Sequence, residues 1–230
     1  MEAFIRVNLN ISGTAVDWIK DKKDAISVCH TSFLAQGGYS MKRHYILDKC
    51  DEKTINFFKI YGEVTVLDSG VKRDTITEMF KIAKEKATDE KLLFLEDDYL
   101  WRDDFRFETL EKALDEFKAV SPYDHPSHYN GYTSHRIVNN NGTLYRQSAN
   151  TTHTFAVRRD AFLEHFDEFN YGLHDWIMWG KLAQVGVPLF TPIYGFATHL
   201  AKDLIALGYD YKNLYDVMLE NIRQTERIGQ

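Results

Sequence analysis

Three consecutive carboxylates, Glu96, Asp97 and Asp98, have the type and spacing to do chemistry. Neighbouring carboxylates repel one another and raise each other's pKa unless a cation lies between them. Their oxygens suit a hard divalent ion such as Mg²⁺ or Mn²⁺, and such an ion commonly completes its shell with substrate phosphates. The alternative interpretation is a solvated strand end, or acids that open a helix and interact favourably with its dipole.

An unbroken apolar run at residues 92–95 leads directly into these acids. A short run of this kind predicts a strand that is buried on both faces, as in a parallel sheet. Unpaired charge is costly to bury, so the acids should emerge at the carboxyl end of the strand. Open α/β folds place their ligands at that edge of the sheet.

The first half of the sequence predicts alternating strands and helices. Residues 25–32 have the pattern of the first central strand, and residues 63–67 that of a β-branched strand that stops at a turn. Helices are predicted over residues 42–49 and 75–87. Residues 4–9 alternate apolar and polar side chains, which favours an edge strand. The order strand, helix, strand, helix, strand indicates a parallel sheet with right-handed crossovers.

The second half combines helices with a long loop and a hairpin. Residues 107–120 predict an amphipathic helix, and residues 121–135, rich in Pro, His and Tyr, predict a surface loop of the kind that carries recognition. Asn141-Gly142 between apolar runs predicts a tight hairpin turn. A further helix is predicted over residues 174–186, followed by an edge strand over residues 188–194.

The composition fits one globular domain. The chain has 230 residues, a hydrophobic share of 44% and a net charge of −6. An acidic balance offers no global field that would draw the protein onto nucleic acid or anionic lipid. No apolar run reaches the length of a membrane span. Cys29 and Cys50 are interpreted as reduced thiols, so a cytoplasmic protein is expected.

The order of these features resembles that of the GT-A glycosyltransferases, most closely the family 2 members, over roughly residues 25–199. The resemblance rests on the family's opening strand, its second strand with a terminal acid, its DxD segment, the stretch before the acceptor-side helix, and the acidic start of that helix. These correspond to Ile-Ser-Val at 26–28, Val-Thr-Val-Leu-Asp-Ser-Gly at 64–70, Leu-Phe-Leu-Glu-Asp-Asp at 93–98, Phe-Ala-Val-Arg-Arg-Asp-Ala-Phe at 155–162 and Gly-Leu-His-Asp-Trp at 172–176. Glu96 replaces the first Asp of DxD and His174 the usual Glu, and the opening strand lacks the common Pro-x-Tyr-Asn ending.

The resemblance implies a Rossmann-like α/β GT-A fold with a mixed, mainly parallel sheet, helices on both faces and a small acceptor-side hairpin region. It implies a single domain in which residues 1–120 bind the nucleotide sugar and residues 121–230 bind the acceptor. The implied activity is metal-dependent, inverting transfer of a hexosyl or pentosyl group from a nucleotide-sugar donor to a hydroxyl of a saccharide or glycan. The implied cofactor is Mn²⁺ or Mg²⁺.

The resemblance also implies a role for each candidate site residue. Asp98 is the leading metal ligand, and Glu96 and His199 are further ligands of an ion that acts as a Lewis acid on the leaving diphosphate. Four contacts to the donor are implied: Asp68 binds the nucleotide base, Asp97 the ribose, Arg73 or Lys72 the pyrophosphate, and Glu96 is a further donor contact. Asp175 is the implied general base that deprotonates the acceptor hydroxyl.

Each of these roles has a structural alternative. Asp68 can be an ordinary turn residue, and Asp175 can be a cap of the helix that it begins. His199 can be a structural histidine, and Arg73 can be a solvated surface cation.

Three other functions stay open. The Tyr, His and Arg content of residues 121–153 suits a saccharide and equally a hydroxylated nucleobase in DNA, which a salt-dependent DNA shift would reveal. A nucleotidyltransferase also holds a metal and a nucleotide with acids on an α/β sheet. It normally has a Gly-rich loop with Arg and Lys near the first strand. Residues 36–38, Gln-Gly-Gly, are too short and have no Arg or Lys to form such a loop. A non-catalytic carbohydrate-binding module would bind its ligand without turnover and tolerate the loss of Asp175.

Overall fold

The structure is a computed structural model that describes residues 1–9, 15–130, 136–149, 151, 153–171 and 174–228. The first half of the chain alternates strands and helices. These are β1 (Glu2–Asn8), α1 (Lys22–Ala35), β2 (Lys42–Asp48), α2 (Glu52–Lys59), β3 (Glu63–Leu67), α3 (Lys72–Lys86) and β4 (Lys91–Glu96). The four strands lie in the order β3-β2-β1-β4, and each neighbouring pair is parallel.

The second half extends this sheet and adds a small one. Its elements are β5 (Tyr99–Trp101), α4 (Phe107–Glu116), β6 (Ala119–Val120), β7 (Ile137–Asn140), β8 (Thr143–Ser148), β9 (Phe155–Arg158), α5 (Arg159–Glu164), α6 (Phe166–Phe169), α7 (Asp175–Gln184), β10 (Leu189–Pro192), β11 (Ala197–His199) and α8 (Tyr211–Ile228). Among the described residues, nine strands form one sheet in the order β3-β2-β1-β4-β9-β6-β10-β8-β7, while β11 pairs with β5. Only β9 and β8 run against the other described strands of the large sheet.

Helices cover both faces of the large sheet, which confirms the expected α/β architecture. The side chains of β4 alternate between the two layers: Leu93 and Leu95 pack with residues of α1, α4 and α8, whereas Leu92 and Phe94 pack with residues of α3, α5 and α7. A strand that is apolar on both faces needs a layer on each side. The acids lie at the carboxyl edge of the sheet, where Glu96 ends β4 and Asp97 and Asp98 form the turn after it.

Two predicted elements in the first half are wrong, and a third has the right type but the wrong place in the sheet. Residues 25–32, predicted as the opening strand, lie in α1. Asp21 caps the N-terminus of this helix, where its side chain accepts hydrogen bonds from the backbone N–H groups of residues 23 and 24. Residues 42–49, predicted as a helix, form β2 between β1 and β3. Residues 4–9, predicted as an edge strand, lie largely in β1, at the centre of the parallel strands. Short apolar runs do not by themselves distinguish a buried strand from a buried helix.

Other predicted elements are confirmed, with shifted ends. Residues 63–67 are β3, residues 75–87 lie almost entirely in α3, and α7 follows the predicted start at residues 174–175. The Asn141-Gly142 turn joins β7 to β8, with φ of 50° and 88° at its two residues, as a tight hairpin requires. The helix predicted over residues 107–120 ends at Glu116, and the chain then continues into β6. β10 lies between β6 and β8 and is not an edge strand.

Within the parts of the chain that the structure describes, no helix combines the length and the apolar character needed to cross a membrane.

Buried Glu2 at the start of β1 joins three elements. Its carboxylate accepts hydrogen bonds from the backbone N–H groups of Thr88 at 2.8 Å and Asp89 at 3.2 Å, and lies 2.7 Å from Nε2 of His44 and 3.0 Å from Nζ of Lys42. Burial raises the pKa of Glu2, but the hydrogen bonds from Thr88, His44 and Lys42 outweigh burial and lower it to about 2.

Glu2→Gln should lower the free energy of unfolding by about 2 kcal/mol near pH 7, since hydrogen bonds to a charged group are lost. The folded pKa lies below the unfolded one, so the ionised carboxylate stabilises the fold above about pH 4.5. That contribution falls as the pH drops toward about 2. Urea denaturation near pH 7 and near pH 3 measures the difference. Exposed Glu85→Gln on α3 is the control, and an equal loss at both pH values would contradict the prediction.

Candidate metal centre

Glu96, Asp98 and His199 meet at the carboxyl end of β4. Glu96 ends β4, and Asp97 and Asp98 form the turn that follows it. This turn brings Asp98 to His199, whereas Asp97 contacts Asn8 and Lys22. β11 pairs with β5 so that His199 lies opposite Tyr99, next to the two acids. One possible ligand atom from each of the three side chains lies within 4.8 Å of the others. This is the expected ligand set, brought together from both halves of the chain.

The Asp98–His199 contact is the tightest part of this triad. Nε2 of His199 lies 3.1 Å from Oδ2 of Asp98, and the His199 ring stacks on Tyr99 at a centroid distance of 5.3 Å. Burial lowers the pKa of His199, but the Asp98 carboxylate outweighs burial and raises it. Burial likewise raises the pKa of Asp98, and the charge and hydrogen bond of His199 reverse that effect and lower it.

Two polar atoms of this pair fit a further ligand. Oδ1 of Asp98 and Nδ1 of His199 are buried and have no hydrogen-bond partner among the described residues. A buried polar atom without a partner costs free energy. Carboxylate oxygens with an imidazole nitrogen form a donor set that suits Mn²⁺, so the residues present fit the divalent ion that the sequence analysis expected.

Glu96 is held by two cations. Its Oε1 accepts hydrogen bonds from Arg6 Nη2 at 2.7 Å and Nε at 3.1 Å, and lies 3.1 Å from Lys72 Nζ. Burial raises the pKa of Glu96, but Arg6 and Lys72 outweigh burial and lower it to about 2. An ion at the triad would share Glu96 with these cations, so Asp98 and His199 are the better-placed candidate ligands.

Asp97 lies on the other side and ties β1 and α1 to β4. Its Oδ2 accepts a hydrogen bond from the Asn8 backbone N–H at 2.7 Å, and its Oδ1 lies 2.8 Å from Lys22 Nζ. Burial raises the pKa of Asp97, and the Lys22 ammonium only partly opposes that rise. Asp97 is therefore absent from the triad, because its carboxylate contacts β1 and α1 instead.

Lys22→Met should lower the free energy of unfolding by about 3 kcal/mol, because it leaves Asp97 buried without its cation. Lys22 and Asp97 side chains are only 14% and 6% exposed. The double variant Lys22→Met/Asp97→Asn should recover most of this loss, since no unpaired carboxylate remains. Urea denaturation compares the variants with exposed Lys20→Met. Equal losses in the single and double variants would contradict the ion-pair account.

Asp68 and Arg73 are not in contact with the triad. Asp68 follows edge strand β3, its side chain is 88% exposed, and it pairs with Lys49. Arg73 is exposed on the first turn of α3, and its neighbour Lys72 is the cation that reaches Glu96. The structure thus places Lys72, and not Arg73, at the metal centre.

Asp175 is linked to the triad through Thr151. Asp175 begins α7, and its Oδ2 accepts a hydrogen bond from the Thr151 backbone N–H at 2.7 Å. The Thr151 carbonyl accepts a hydrogen bond of 2.8 Å from the hydroxyl of Tyr99, on whose ring His199 stacks. Residues 172–173 of the predicted stretch lie outside the described residues.

Sequence reasoning missed several residues of this region. Arg6 and Lys22 were missed because their acidic partners lie 90 and 75 positions away. Asp48 was missed because residues 42–49 were assigned to a helix. Buried Asp48 ends β2 and accepts hydrogen bonds from the backbone N–H groups of Ser69 and Gly70 at 3.0 to 3.1 Å, which shapes the loop after β3. The correct strand assignment would have revealed it as a second acid at the carboxyl edge.

No protein-family model matches this chain. No curated protein sequence matches it either. Solved structures, in contrast, do match the chain. The inositol-1-phosphate CTP transferase from T. maritima is 13% identical, with a TM-score of 0.53, and the match covers 95% of this chain and 96% of that one. The structure of GalNAc-T7 with UDP, GalNAc and Mn²⁺ is 15% identical, with a TM-score of 0.55, over 83% of this chain and 42% of that one.

At these identities the likeness shows the fold. The chain has the α/β fold of nucleotide-sugar transferase-like proteins, which glycosyltransferases and nucleotidyltransferases share.

Proposed function

We propose that this protein is a metal-dependent, inverting glycosyltransferase that moves a sugar from a nucleotide-sugar donor to a hydroxyl acceptor. The observation that carries this proposal is the Glu96–Asp98–His199 triad, whose ligand atoms lie within 4.8 Å of one another at the carboxyl end of β4. Bound there, Mn²⁺ or Mg²⁺ would supply Lewis-acid stabilisation of the diphosphate leaving group. Among these two ions, the imidazole favours Mn²⁺.

The donor would lie along the carboxyl ends of the parallel strands, in the 1–120 half. Lys72 and Arg6 supply positive charge beside Glu96 for the diphosphate, a role for which the sequence analysis named Arg73 or Lys72. Asp97 can accept a ribose hydroxyl in addition to its two present donors, because a carboxylate has about four lone-pair sites. Exposed Asp68 is our candidate for the nucleotide base.

The acceptor would be bound by the 121–230 half, with Asp175 as general base. Its carboxylate is fixed by the backbone N–H groups of Thr151 and Trp176 at 2.7 and 2.8 Å, so its direction is set before the acceptor binds. Trp176 is 58% exposed beside it and offers an aromatic face to a saccharide. Free Cys29 and Cys50 support the expected cytoplasmic location.

Nucleotidyl transfer is the second candidate, favoured by the fold likeness to a CTP transferase over nearly the whole of both chains. The loop after the first strand opposes it. That strand is β1, and the following residues 9–21 include one glycine, Gly13, and one cation, Lys20. The Gly-rich loop with Arg and Lys expected of that class is therefore missing from the sequence there.

Nucleotide release separates these functions. The protein is incubated with UDP-, GDP- and CDP-sugars, and separately with CTP and a sugar phosphate, in Mn²⁺, Mg²⁺ or EDTA. Glycosyl transfer gives metal-dependent nucleoside diphosphate from one donor, whereas nucleotidyl transfer gives pyrophosphate from CTP. Adding hydroxylated DNA or free saccharides distinguishes the acceptors. A wild-type protein that releases no nucleotide and gains no thermal stability from any nucleotide with metal contradicts the proposal and favours a binding module.

A further inference from the structure

His153 is a buried side chain whose ring has no hydrogen-bond partner in the part of the chain that the structure describes. It is 3% exposed, and neither Nδ1 nor Nε2 has a partner among the described residues. Leaving a polar group buried and unpaired costs free energy. Its backbone is also in the left-handed region, with φ of 65°. The unpaired ring and the left-handed backbone both cost free energy. A ligand that supplies the missing hydrogen-bond partners would explain why a histidine is found at this position.

Three hydrogen bonds place His153 between the metal centre and Asp175. The next residue, Thr154, accepts one from the Glu96 backbone N–H at 3.3 Å through Oγ1. The His153 backbone N–H donates to Oγ1 of Thr151 at 3.0 Å. The Thr151 backbone N–H in turn donates to Asp175 at 2.7 Å. In the proposed reaction, the sugar to be transferred must lie between the metal-bound diphosphate and the general base, which is the region that His153 adjoins.

The charges around His153 favour its neutral form. Burial lowers the pKa of His153, and the positive charges of Lys72 and Arg6 lower it further. The negative charges of Glu96 and Asp175 oppose this change but do not reverse it. A neutral imidazole has one N–H donor and one nitrogen acceptor. A hydroxyl group also both donates and accepts, whereas a fully ionised diphosphate only accepts. The unpaired ring therefore matches sugar hydroxyls better than it matches phosphate oxygens.

We propose that His153 binds hydroxyl groups of the sugar that is transferred, one nitrogen donating and the other accepting. This inference rests on the proposed glycosyltransferase function and assigns within it a contact to the sugar and not to the nucleotide.

The test compares nucleotide sugars with the matching nucleoside diphosphates. Binding of UDP-glucose, UDP-N-acetylglucosamine and GDP-mannose, and of UDP and GDP, is measured by calorimetry with Mn²⁺. His153→Phe removes both ring nitrogens, and His153→Gln keeps one donor and one acceptor. His165→Phe, at the end of α5, is the matched control.

His153→Phe should weaken binding of the preferred nucleotide sugar tenfold or more, a loss equivalent to about 1.4 kcal/mol or greater. Binding of the nucleoside diphosphate should change less than about twofold, because the lost contacts are to the sugar. His153→Gln should restore part of the lost affinity. The melting temperature of metal-free His153→Phe should equal or exceed that of wild type, since an unpaired buried polar group is removed.

The outcomes separate the two proposals. If wild type binds a nucleotide sugar and His153→Phe binds it equally well, or loses sugar and diphosphate binding alike, the role of His153 is overturned and the proposed function stands. If wild type binds neither nucleotide sugars nor diphosphates with metal, the proposed function falls, and the role of His153 falls with it.

Discussion

Asp98→Ala should lower metal-dependent release of nucleoside diphosphate by roughly 10³-fold, the equivalent of about 4 kcal/mol of transition-state stabilisation. Asp98 is the member of the triad that combines a lowered pKa, a direct contact to His199 and an oxygen without a partner among the described residues. Removing it takes away the leading ligand and leaves His199 without its counter-charge. Steady-state kinetics over a range of Mn²⁺ concentrations measure the loss, with exposed Asp216→Ala on α8 as the control.

A purely structural salt bridge between Asp98 and His199 predicts a different result. In that case Asp98→Ala and His199→Ala lower stability, and Mn²⁺ leaves the melting temperature of wild type unchanged from its value in EDTA. A metal site predicts that Mn²⁺ at 100 times its Kd stabilises wild type by about 2.7 kcal/mol. Both variants should lose this stabilisation. A wild-type melting temperature that does not respond to Mn²⁺ would therefore contradict the metal assignment.

The features that could be predicted from the sequence are those in which local chemistry decides the outcome. Residues 92–95 must be buried on both faces, and the acids after them need charged or polar partners, so the strand and the position of its charged end follow from one short stretch. In the structure Glu96 and Asp97 are buried and paired with Arg6 and Lys22. The Asn141-Gly142 turn follows from the positive φ that its geometry requires. The triad itself was expected from a family resemblance, and the computed model brings its three side chains together.

The missed features depend on parts of the chain that are distant in sequence. Residues 25–32 and 42–49 are both short and partly apolar, and only the position of each between its neighbours decides which becomes α1 and which β2. Because the helix was predicted as a strand and the strand as a helix, the predicted order of strands along the chain was wrong at this point. Asp68 was then assigned to the second strand, whereas Asp48 occupies that end in the structure. The Arg6–Glu96 and Lys22–Asp97 pairs have no local pattern that would reveal them.

Asp175→Asn should lower kcat for sugar transfer by about 10²- to 10⁴-fold, the usual contribution of a general base, while Kd for the nucleotide and for Mn²⁺ stays within about twofold. Asparagine retains one carbonyl oxygen, which can accept one of the two hydrogen bonds from the Thr151 and Trp176 backbone N–H groups, while its NH₂ group replaces the oxygen that accepts the other. The start of α7 should therefore lose part of its stability but persist. What the substitution removes is the capacity to take a proton from the acceptor hydroxyl. Rapid-quench measurement of sugar transfer, beside equilibrium binding of the nucleotide, separates these two effects.

The capping interpretation of Asp175 gives the opposite pattern. Loss of a cap changes stability by about 0.5–2 kcal/mol and leaves kcat unchanged once the protein is folded. Asp175→Ala helps to separate the two, because it removes the acceptor oxygens as well as the base. If Asp175 acts as the base, both variants lose kcat alike, and Asp175→Ala loses more stability than Asp175→Asn. If it is only a cap, Asp175→Asn turns over like wild type, and the acceptor hydroxyl must lose its proton to another group.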